Sequence, residues 1–88
     1  MKLIITILSD EDWEPVSRAL IENDLRVTRI ASTGGFFRRG SSTLMIGVEK
    51  ERVDQAITLI RNSISPAIDP NIKRATLFVM NVEDYSQI

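Results

Sequence analysis

Neither cysteine nor histidine occurs anywhere in the 88 residues. The first absence excludes a disulfide framework and thiolate chemistry. The second removes the commonest general base and the commonest metal ligand together. Carboxylates remain, but Asp10, Glu11, Asp12 and Glu14 stand where negative charge favours a helix N-terminus, and others gather in the C-terminal tail. These residues argue against an enzyme, and none of them calls for a metal or a cofactor. An excess of one charge is also missing, since 11 Lys and Arg face 12 Asp and Glu. Attraction to nucleic acid or to a membrane surface is therefore not built in. No apolar run approaches the roughly 20 residues that span a bilayer. The apolar start, residues 1–8, is short and leads straight into Asp10-Glu11-Asp12 with no small-residue cleavage site. It reads as a strand rather than a secretion signal, and with the missing cysteines it fits a cytoplasmic protein.

Glycine is scarce, four residues in all, and three of them stand in Thr33-Gly34-Gly35-Phe36-Phe37-Arg38-Arg39-Gly40. Two readings of this stretch are open on the residues alone. One is a hairpin loop whose glycines serve only the turn. The other is a ligand site for something flat and anionic. In that reading backbone N–H groups form an anion nest, arginine offers a planar fork to phosphate, and phenylalanine offers a stacking face. The remaining glycine, Gly47, falls inside the apolar run Leu44-Met45-Ile46-Gly47-Val48. Glycine weakens a strand, so it marks either close packing or the approach of a ligand.

Taken in order, residues 2–8 read as a strand apolar on both faces. A helix follows, with Asp12 as N-cap, Pro15 in its first turn, and Trp13, Val16, Ala19 and Leu20 at helical spacing up to about Asn23. Trp13 reads as a core or helix-end anchor. Residues 26–32 alternate as a second strand, placing Arg26, Thr28 and Ile30 on one face and Val27, Arg29 and Ala31 on the other. Residues 42–49 form a third strand. Residues 50–63 form a second helix with Val53, Ala56, Ile57, Ile60 and Ile64 on one stripe. Pro66 and Pro70 mark a connecting loop over residues 65–71, and residues 73–82 give the last strand. The order βαββαβ is the ferredoxin-like arrangement, an α+β fold with a four-stranded antiparallel sheet. Two helices cover only one face of such a sheet, so the apolar first and last strands predict self-association across the other.

The sequence resembles the PII-like cyclic di-AMP receptor family along its whole length. The resemblance is carried by Met1-Lys2-Leu3-Ile4-Ile5, Arg26 with Thr28, Ala31-Ser32-Thr33-Gly34-Gly35-Phe36-Phe37-Arg38, Gly40, Thr43, Gly47-Val48, Arg52-Val53-Asp54, Ala75-Thr76-Leu77-Phe78-Val79-Met80, Val82 and Gln87. It implies a single PII-like domain over residues 1–88. It further implies a homotrimer that binds cyclic di-AMP in the clefts between subunits and signals to a downstream protein that the sequence does not name. The implied ligand contacts are Arg26, Thr28, Gly35, Phe36, Phe37, Gly47, Phe78 and Gln87, with Ser41 at a further family position.

Several positions depart from the family pattern. Ser41 stands where an asparagine is usual, and a hydroxyl lacks the paired donor and acceptor that read an adenine edge. Asp24 also replaces a frequent asparagine, adding an acid that opposes an anionic ligand unless Arg26 or Arg29 neutralises it. Phe37 replaces a leucine and enlarges the apolar wall. A long glycine-containing loop usual before the last strand is cut here to residues 65–72. Two further readings follow from these departures: a PII-like sensor of another adenine nucleotide such as ATP or ADP, and a structural or protein-interaction trimer whose site has decayed.

Overall fold

The computed structural model describes residues 1–33, 40–64, 74–86 and 88. Residues 34–39, 65–73 and 87 lie outside it, and with them the expectations for Gly35, Phe36, Phe37, Gln87 and the proline-containing connection. The elements run β1 (Lys2–Ser9), α1 (Asp10–Glu22), β2 (Arg26–Ser32), β3 (Ser41–Val48), a 3-10 turn (Lys50–Arg52), α2 (Val53–Ser63) and β4 (Ala75–Asn81). The strands pair antiparallel in the order β2-β3-β1-β4. This is the ferredoxin-like α+β order read from the sequence.

Alternation decides what each strand buries. On β1 the residues Ile4, Thr6 and Leu8 are buried, and on β3 Ser42, Leu44, Ile46 and Val48. Val16 and Leu20 of α1 and Ala56 and Ile60 of α2 close over them, with Leu25 between α1 and β2. Full burial of one such aliphatic side chain contributes about 1.5–3 kcal/mol, so this layer holds the fold. Trp13, Val53, Ile57 and Ile64 pack at its margin, as their helical spacing predicts. Thr6 is the exception, because its buried Oγ1 has no hydrogen-bond partner among the described residues. A buried polar group left unpaired costs about 1–3 kcal/mol. Thr6→Val, of nearly the same shape, is therefore expected to raise stability by about 1–2 kcal/mol, read as a higher urea midpoint with an unchanged slope.

Two sequence expectations need correction. Helix α1 begins at Asp10 and is capped by Ser9, whose side chain accepts from the Glu11 N–H at 3.3 Å. Asp12 is thus not the cap but a fully buried residue of the first turn, paired with Arg74 Nη2 at 3.3 Å. Pro15 accordingly moves into the second turn. In β2 a bulge between Arg29 and Ala31 shifts the alternation. Ala31 pairs with Thr43, and so joins the face of Arg26 and Thr28 rather than that of Arg29.

The C-terminus of α1 is closed by a pair of bonds, Asp24 N–H to Ile21 O and Leu25 N–H to Leu20 O, each 3.0 Å. Asp24 has φ 61°, the left-handed conformation this closure requires. Asparagine is also at home in that conformation.

The helix-free face of the sheet follows from the register. Its rows across β2, β3, β1 and β4 are Arg26–Gly47–Leu3–Met80, then Thr28–Met45–Ile5–Phe78, then Ala31–Thr43–Ile7–Thr76. Phe78 is 52% exposed and Met80 42%. No helix among the described residues is long and apolar enough to cross a membrane.

Candidate functional site

Antiparallel pairing brings the start of β1, the start of β2 and the end of β3 to one end of the sheet. A groove of about 570 Å³ opens there, its lining including Leu3, Asp24, Arg26, Thr28, Gly47 and Arg52. Arg26, Thr28 and Gly47, three of the residues singled out from the sequence, therefore share one cavity. Arg26 lies directly across from Gly47, and Thr28 across from Met45. The Arg26 side chain is exposed and makes no hydrogen bond or ion pair with any described residue.

Gly47 answers the question its sequence posed. Its backbone is ordinary strand, and a Cβ added to it would meet only Met1 Cε, at 2.8 Å. That atom is the far end of a flexible side chain and can move aside. The fold thus has no strong need of glycine here, whereas a side chain at this position would stand on the groove floor beside Arg26.

Other predicted residues lie elsewhere. Ser41 is on the same sheet face as Gly47, but six residues along β3 is roughly 20 Å. Its N–H donates to Thr33 Oγ1 at 2.7 Å, and the Thr33 N–H donates to the Ser41 carbonyl at 2.9 Å, closing the mouth of the β2–β3 hairpin. Phe78 shares a row with Thr28, but three strand spacings, roughly 14 Å, separate them. Ser41 and Phe78 are outside the groove that holds Arg26.

Arg29 is committed to the fold. Its guanidinium stacks over Trp13 at 4.3 Å, and Nη2 donates to Ser32 Oγ at 2.8 Å and to Asp10 Oδ1 at 3.3 Å. Its Nε donates to Ser42 Oγ at 3.1 Å, and that hydroxyl in turn donates to Asp10. The Asp10 N–H donates to Gly40 O at 3.0 Å, so the network ties the hairpin base to the start of α1. Arg29 is on the helix side of the sheet and is thereby withdrawn from any role in neutralising Asp24.

Arg52, Glu49 and Tyr85 line the groove as well, and sequence reasoning gave them no site role. Arg52 Nη2 donates to the Asn23 carbonyl at 2.6 Å, and Nε donates to Gln55 Oε1 at 3.0 Å. No basic residue stands in the last turn of α1 itself, so Arg52 supplies from outside the cation that a helix C-terminus favours. It thereby fixes the turn that leads into Arg26. The groove can hold an anion against its arginines, and its apolar floor of Leu3, Met45 and Gly47 can accept a flat ring.

Comparison with known proteins points the same way. The family model for the cyclic-di-AMP receptor matches residues 1–66. The crystal structure of a functionally unknown protein from Pediococcus pentosaceus ATCC 25745 is similar to the whole chain, with a TM-score of 0.75 and 30% identity. The match covers 99% of this chain and 96% of that one.

Proposed function

The chain belongs to the cyclic-di-AMP receptor family, and from that premise we propose that it is a cytoplasmic, non-catalytic signalling protein that binds cyclic di-AMP between the subunits of a homotrimer. The observation that carries this reading is Gly47. The fold tolerates a side chain there, yet a glycine lies on the groove floor opposite an unpaired arginine. Arg26 would hold a phosphodiester by charge-assisted hydrogen bonds, Thr28 would add a hydroxyl beside it, and Gly47 would leave room for the ring.

Distances within the subunit support a site completed by a neighbour. Phe78 and Ser41 are too far from Arg26 to grip the same small group within one chain. On a neighbouring subunit, Phe78 could face the groove, with Gly35, Phe36, Phe37 and Gln87 closing the pocket. The apolar helix-free face, with Leu3, Ile5, Ile7, Phe78 and Met80, offers the surface for association. Occupancy would then be passed to a downstream protein partner.

The test joins oligomeric state to ligand stabilisation. Sedimentation should give a trimer, and cyclic di-AMP at 100 times its dissociation constant should add about 2.7 kcal/mol of stability. Arg26→Ala should keep the trimer and lose about 1.5–3 kcal/mol of binding. A stable monomer, or a variant that binds as tightly as the parent, contradicts the proposal.

A further inference from the structure

The groove that holds Arg26 carries two carboxylates, Asp24 and Glu49, beside the cationic side chains of Lys2, Arg26 and Arg52. Among the described residues, neither carboxylate has a hydrogen-bond or ion-pair partner, although both stand in one cavity with cations. The fold uses the backbone of each and the side chain of neither. Asp24 serves the α1 turn through its left-handed backbone and its N–H to Ile21 O. Glu49 precedes the 3-10 turn, where its carbonyl accepts from the Arg52 N–H at 2.9 Å and its side chain makes no capping bond. Both side chains are exposed.

The cations are unequally occupied. The Lys2 ammonium is held by Asn81, and Arg52 spends Nε and Nη2 on Gln55 and Asn23. Arg52 Nη1 and the whole guanidinium of Arg26 are left without a partner among the described residues. The groove lining thus carries three cationic side chains and two carboxylates unpaired among the described residues, a small surplus of positive charge.

We propose that Asp24 and Glu49 form a charge filter that admits a phosphodiester and rejects a polyphosphate. The inference rests on the nucleotide reading of the same groove and adds its ligand class. A phosphodiester brings one negative charge per phosphorus, which Arg26 and the open edge of Arg52 can match. A triphosphate brings up to four negative charges on one chain, and those beyond the arginines' reach face the two carboxylates. A pair of unit charges about 8 Å apart in water changes affinity about twofold, so the two charges that ATP carries beyond cyclic di-AMP, facing two carboxylates, amount to about thirtyfold unscreened and several-fold after screening by physiological salt.

The experiment compares wild type with the double variant Asp24→Asn, Glu49→Gln, titrating each with cyclic di-AMP and with ATP at low and at physiological salt. Asparagine keeps the left-handed turn, and glutamine removes no side-chain bond, so the fold is preserved. ATP affinity should rise at least about tenfold more than cyclic di-AMP affinity in the variant at low salt, and this difference should shrink to several-fold at physiological salt. If both ligands gain by the same factor, or if wild type already prefers ATP, the filter is refuted while the nucleotide site stands. If wild type binds neither ligand, the cyclic di-AMP reading falls. The filter is then upheld if the double variant takes up ATP and refuted if it does not.

Discussion

Asp12→Ala is expected to destabilise the fold by about 3 kcal/mol, at the lower end of the roughly 3–5 kcal/mol that breaking a buried ion pair costs. The Asp12 side chain is 1% exposed, while that of Arg74 is 23% exposed. The substitution removes the carboxylate that Arg74 Nη2 contacts, leaving a largely buried guanidinium whose Nε already has no hydrogen-bond partner. The residual exposure of Arg74 gives it some access to water, which keeps the penalty below the maximum. Chemical denaturation should show a much lower midpoint, and Asp12→Asn should fall between the variant and the parent because an amide still accepts a hydrogen bond. A change below about 1 kcal/mol, the scale of an exposed pair, would mean that the pair is not part of the fold's interior.

Gly47→Val is expected to separate binding from stability. Valine suits a strand better than glycine does, and the one close neighbour of a Cβ is the movable end of Met1. Stability should stay within about 1 kcal/mol of the parent. Binding should weaken by about 1–3 kcal/mol, up to about a hundredfold, because the new methyls occupy the groove floor. Sedimentation of the variant distinguishes a blocked groove from a disturbed assembly. A variant that binds normally would return Gly47 to a packing role and remove the main support for the site.

Much of the fold was legible because its strands alternate in the simplest way. β1 and β3 bury every second residue, and the α2 stripe from Val53 to Ile64 falls where its spacing requires. The start of α1 was less legible because Ser9, Asp10 and Asp12 are all residues that cap helices well. What decides between them is Arg74, 62 residues away, which draws Asp12 into the interior. The phase of β2 after Arg29 was misread because a bulge inserts a residue without a glycine or proline to announce it.

Among the groove residues, Gly47 was conspicuous as a glycine inside an apolar strand, whereas Arg26 and Thr28 were reached only through the family resemblance. That Arg52 and Glu49 line the groove was not anticipated, since they follow β3 and read as the start of a helix. Antiparallel order offered a signal for them: whatever follows β3 must lie at the same sheet end as whatever precedes β2. Ser41 and Phe78 matched a pattern along the sequence, but the sheet sets them roughly 20 Å and 14 Å from the groove residues to which they were joined. The proposed site therefore relies on a second subunit to bring such positions to one ligand.

Equilibrium titration of cyclic di-AMP into the purified protein tests the central claim most directly. The expected result is saturable binding of one ligand per chain by a trimeric species, greatly weakened by Gly47→Val. Absence of saturable binding to the parent protein would contradict it.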